Sequence, residues 1–206
     1  MSYRKAAQWI DEQFQLDDPQ QALHNALEEL DKVPPRKRDA DWHYLRGFCC
    51  YDLGQAEEAE REFRTALLLQ PEQRWAVLYL GHALFDRGEY AEALPYFQRA
   101  RLEQPWRILK NQELMLCCRL YTQSRLPNIQ VLRDLVELYE KHPKDAPEPT
   151  EMVLCIDRLQ ERIPVKRRAE WWECLQRLVK VGGGASLQPI LDRLEASLAS
   201  GVKASR

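Results

Sequence analysis

Six cysteines, four histidines and a triple glycine are the residues of this chain whose chemistry could build an active site. The cysteines stand at 49, 50, 117, 118, 155 and 174. Two adjacent pairs make neither a CxxC redox motif nor a disulfide framework, and no histidine follows them at zinc spacing. They are expected as reduced, half-buried thiols. His24, His43, His82 and His142 are scattered, with no HExxH and no cluster at ligand spacing. Gly182-Gly183-Gly184 follows no strand, so it is neither a Walker loop nor a dinucleotide-binding turn. There is no GxSxG, and carboxylates spread over helix surfaces serve solvation. The chain is therefore expected to be non-catalytic, with no metal and no cofactor.

Composition excludes further classes. The 206 residues are 45% hydrophobic and 30% charged, a soluble globular balance. Net charge is −2 with acids and bases interleaved, so no basic stripe marks a nucleic-acid partner. Lys166-Arg167-Arg168 reads as a solvated face at a helix start. No apolar run approaches the roughly 20 residues of a membrane span. The opening MSYRKAAQWIDEQF lacks the apolar core of a secretory signal. A cytoplasmic protein with no membrane insertion and no nucleic-acid partner is expected.

What would position any functional residue is a repeat. Shifted by 34 residues (81 − 47), Gly47 meets Gly81, Gly54 meets Gly88, Ala59 meets Ala93, Phe63 meets Phe97, Ala66 meets Ala100 and Pro71 meets Pro105. A helix–turn–helix period of about 34 residues is diagnostic of stacked hairpins. Val77-x-x-Leu80-Gly81-x-x-Leu84, then Gly88, Tyr90, Ala93, Phe97, Ala100 and Pro105, resembles the tetratricopeptide repeat family. The repeat at 40–73 is looser in its first helix, where His43, Arg46 and Cys50 stand at the Trp, Leu and Tyr positions and Trp42 and Leu45 lie one residue off. The resemblance implies an all-α, right-handed superhelical solenoid of antiparallel helix pairs. Mechanically, Gly81, Ala93 and Ala100 let two helices approach, Phe97 is the knob between them, and Gly88 makes the turn. Pro105 is expected to end the unit.

Four units are expected within residues 1–142: 3–34, 40–73, 74–107 and 108–142, the first and last degenerate. HPKDAPEPT at 142–150 reads as a loop or linker. A C-terminal helical segment over 150–200 follows, with helices near 150–162, 165–181 and 186–199. It would cap the array's apolar end, with Trp171 and Trp172 packed there, or form a homodimer interface.

The resembled family binds its ligands on one face of each first helix. Carried onto this chain, that face is Tyr44, Phe48 and Tyr51, then Trp75, Leu78, His82 and Phe85. The spacings 44/48/51 and 78/82/85 independently put each triplet on one helical face. Arg4, Asp11 and Phe14 would extend it from the first unit, and Gln112, Leu116 and Arg119 from the fourth. Aromatic rings give large contact area at low entropic cost. Carboxylate-clamp members of the family place Lys and Asn where Tyr44, Phe48 and Leu78 stand here, so a largely apolar, extended or helical protein ligand is expected. The function expected is a protein–protein adaptor or scaffold. The alternative, by resemblance to the small repeat chaperones of bacterial secretion systems, is a dedicated chaperone or neutralising partner of one secreted protein.

Overall fold

In the computed structural model, residues 3–12, 18–123 and 128–203 are described, with side chains through residue 197. Phe14, expected on the binding face, lies outside them. All regular structure among the described residues is helical. The chain divides into two compact units, Met1–Ala100 and Arg101–Arg206.

The first unit is three hairpins: α1 (Arg4–Glu12) with α2 (Pro19–Asp31), α3 (Ala40–Asp52) with α4 (Ala56–Leu69), and α5 (Arg74–Asp86) with α6 (Tyr90–Arg99). Successive hairpins join through α2 on α3 and α4 on α5. Asp18, Asp39 and Gln73 cap α2, α3 and α5, each side chain accepting a backbone N–H in the first turn and satisfying an otherwise orphaned donor. A Cβ at Gly47 would lie 2.7 Å from the Phe63 ring, and one at Gly81 would lie 2.9 Å from Phe97. Both rings are fully buried, so any side chain at either glycine must push the paired helices apart.

Two features depart from the expected repeat. Pro105 does not terminate a helix. α6 has already ended at Arg99, and Pro105 opens the next helix, where its missing N–H costs nothing. In α3, Trp42 and His43 share the work of the expected single tryptophan. Trp42 is buried and its indole N–H donates to the Leu30 carbonyl at 3.0 Å, binding α3 to α2. His43 turns to α4 and meets Glu62 at 2.6 Å.

The second unit holds α7 (Pro105–Thr122), α8 (Ile129–Lys141), α9 (Thr150–Leu159), α10 (Arg168–Val181) and α11 (Gln188–Lys203). Here sequence neighbours are not the main partners: α7 packs chiefly on α9, and α8 on α10. The proline-rich segment 142–150 is packed in this unit, since a Cβ at Gly182 would lie 2.7 Å from both the Pro147 carbonyl and the Pro149 ring. α3, α5 and α10 all end in one device, a glycine at positive φ (Gly54 76°, Gly88 80°, Gly183 68°). The next N–H reaches back across each turn, Gln55 to Cys50 and Glu89 to Leu84 at 2.8 Å, and Gly184 to Val179 at 3.1 Å.

Candidate docking surfaces

In the first unit, α3 and α5 bring their aromatic residues together around one ring that the sequence reading passed over, Tyr79. Its centroid lies 5.0 Å from Phe48, 5.9 Å from Tyr51 and His82, and 6.1 Å from Tyr44 and Phe63. The signal was present: Trp75, Tyr79 and His82 fall at i, i+4, i+7, one residue round the helix from the stripe at 78/82/85. That offset sorts the expected groove residues. Tyr44, Tyr51, Trp75 and His82 are half-buried. Phe48, Leu78 and Phe85 are only 6%, 3% and 7% exposed and lie beneath the surface. Phe85 turns to its hairpin partner, 5.1 Å from Tyr90 and 6.2 Å from Phe97. Tyr51 donates its hydroxyl to Asp86, tying α3 to α5. Burial, then Asp86, pushes that hydroxyl well above the usual tyrosine range, so it stays protonated and remains a donor. Trp75 stacks under the Arg74 guanidinium at 4.7 Å.

In the second unit, α7 and α8 leave a cleft of about 450 Å³ between them. Gln112 and Arg119, expected from sequence as groove residues of this unit, both line it, as does Leu116. Met115, Leu116, Val131, Leu135 and Leu138 give an apolar floor, with Asp134, Glu137 and Lys141 at the rim. Arg119 is half-buried, and its guanidinium has no hydrogen-bond or ion-pair partner among the described residues. A guanidinium partly withdrawn from water without a carboxylate favours any ligand that supplies one.

Behind the cleft sits Glu113, fully buried. It accepts the Met152 N–H at 2.8 Å, capping the first turn of α9, and the Lys110 ammonium at 3.0 Å. The Tyr139 hydroxyl of α8 approaches at 3.4 Å. Burial raises its pKa above the ordinary 4.5, outweighing the opposite pull of Lys110 and the Met152 N–H. The residue therefore links α7, α8 and α9, which makes it a structural carboxylate. Nothing in the sequence distinguished it from the many surface glutamates.

The cysteines are more buried than expected, all six buried and none in a disulfide. Burial pushes Cys49 up to about 12 and Cys50 to about 11, which leaves both as neutral thiols. Among the described residues no group of three or more His, Cys, Asp or Glu could hold a metal ion. No helix among them is long and apolar enough to cross a membrane.

Residues 50–105 match the Tetratricopeptide repeat family. Among solved structures, MamA 41-end from Desulfovibrio magneticus RS-1 is similar, with a TM-score of 0.59 at 17% identity over 91% of this chain and 99% of that one. The MamA RS-1 ArsTM double mutant covers 96% of this chain and 98% of its own at 18% identity, with a TM-score of 0.47. At 17% identity the first likeness is one of fold alone. No curated protein matches the chain.

Proposed function

We propose, from the match of residues 50–105 to the Tetratricopeptide repeat family, that the protein is a cytoplasmic, non-catalytic adaptor that docks a segment of a partner protein. Repeat hairpins present extended surfaces suited to peptides and helices. The observation that carries the reading is the α7–α8 cleft, where an apolar floor and the unpartnered Arg119 share about 450 Å³. The ligand is an apolar helical or extended segment bearing one carboxylate: its apolar residues cover Leu116 and Leu135, and its acid pairs with Arg119 beside Gln112. In the first unit, Tyr44, Tyr51, Trp75 and His82 supply a second contact surface, held in place from below by Phe48, Leu78 and Phe85.

Display of a random peptide library against the purified chain tests this. Enriched peptides should combine spaced apolar residues with an acid. By fluorescence anisotropy, Arg119→Glu should weaken them about ten-fold or more, since it replaces attraction by repulsion. An absence of enrichment, or peptides indifferent to both Arg119→Glu and Trp75→Ala, would sink the proposal.

A further inference from the structure

The second unit has another open surface on its C-terminal hairpin. One stripe of α10, comprising Trp171, Cys174, Leu175 and Leu178, is buried. One residue round the helix, Trp172 and Val179 face a cleft of about 430 Å³ shared with Leu191 of α11. Trp172 is half-buried there, a large amphipathic ring of the kind that anchors interfaces.

The charges on this cleft name its occupant. Lys180 and Glu195 both line it, are both exposed, and neither has a partner among the described residues. Lys180 lies at the turn end, beside Gly183. α11 contacts residues 165–167, which lead into α10, so it runs back alongside α10. Glu195, about two turns into α11, lines the cleft away from the Gly182–Gly184 turn. A cleft with a free cation at one end and a free anion at the other is complementary to itself when turned over. A two-fold axis repeats every contact, which makes such an arrangement closed.

We propose that the α10–α11 cleft is the interface of a homodimer, closed by reciprocal Lys180–Glu195 ion pairs between two copies of this chain. Each Trp172 ring covers the Val179 and Leu191 floor of the opposite copy. The two ion pairs, equivalent by symmetry, fix the register.

Sedimentation equilibrium of the full chain tests this by charge exchange. The wild type should show a concentration-dependent monomer–dimer equilibrium. Lys180→Glu alone and Glu195→Lys alone should each weaken it about ten-fold or more, because each creates two like-charge contacts. The double exchange K180E/E195K should return the dimer to within about three-fold of wild type, since the pair is restored with its sign reversed. Circular dichroism should be unchanged throughout, both sites being exposed. A chain that stays monomeric to about 0.5 mM would overturn the proposal. So would a dimer blind to the single exchanges, or one that the double exchange fails to rescue. A different protein that binds the monomer and needs Trp172 would assign the cleft to that protein instead.

Discussion

The same repeat positions do opposite things in the two units. In the first, Gly47 sits against Phe63 and Gly81 against Phe97, and each of these helix pairs meets at that contact. One period on, 81 + 34 and 97 + 34 give Met115 and Val131, and both line the α7–α8 cleft. A long flexible side chain has replaced the glycine, and a smaller one has replaced the ring. Similarly, 79 + 34 is 113: the hub of the aromatic surface in one unit, Tyr79, becomes the buried Glu113 of the other. A helix pair that loses its glycine contact has to find other partners, and α7 and α8 find α9 and α10. The cleft is what their separation leaves.

The strongest way to break this contrast is Gly81→Leu. Leucine gains about 0.8 kcal/mol of helix propensity over glycine. Against that stands a backbone shift or an off-rotamer Phe97, worth about 3 kcal/mol or more in a close-packed core. The net loss of about 2 kcal/mol should lower the melting temperature by roughly 4–8 °C, followed by circular dichroism. An unchanged melting temperature would mean the Gly81–Phe97 contact does not hold the hairpin.

The converse experiment imports the contact. Met115→Gly with Val131→Phe recreates in α7 and α8 the pair that closes the earlier hairpins. The glycine costs about 1 kcal/mol of helix stability and the added ring contributes a similar amount by burial, so stability should change little. Binding of library-selected peptides should fall about ten-fold or more, because the ring occupies their site. Retained binding with an intact fold would remove the cleft from the mechanism.

How much of this could be read from sequence follows from where the repeat is strict. Six recurring landmarks set the hairpins of residues 40–100, because a glycine facing a buried ring and a glycine at positive φ admit no substitute. The C-terminal helices, expected near 150–162, 165–181 and 186–199 on amphipathic spacing, span Thr150–Leu159, Arg168–Val181 and Gln188–Lys203. The docking residues were less legible. The spacing 44/48/51 places these residues on one helix face but carries no depth, and Phe48 and Phe85, expected on the groove surface, lie under it. Depth depends on what packs from the neighbouring helix, here Tyr79 and Tyr90, and a period within one helix carries no record of that. Gln112 and Arg119, which the repeat's geometry assigns to the groove, line the α7–α8 cleft together with Met115 and Val131. The last two carry no landmark because they stand where the repeat's glycine and ring are absent.

The smallest expected effect concerns Glu113, which does for α7, α8 and α9 what ring packing does in the first unit. Burial favours its protonated form, so the folded state holds this proton more tightly than the unfolded chain does. Its contribution to stability is therefore greatest below its ordinary pKa of 4.5 and is lost as pH rises toward the higher folded value. Glu113→Gln keeps an acceptor for the Met152 N–H and removes the titration. Urea unfolding from about pH 5 to about pH 8 should show the wild type losing more stability than the glutamine variant. Glu113→Leu separates the two roles: it leaves the Met152 N–H buried without an acceptor, costing about 1–2 kcal/mol at every pH. If wild type and glutamine variant follow the same pH course, the carboxylate stays ionised in the fold, and its bond to Lys110 outweighs its burial.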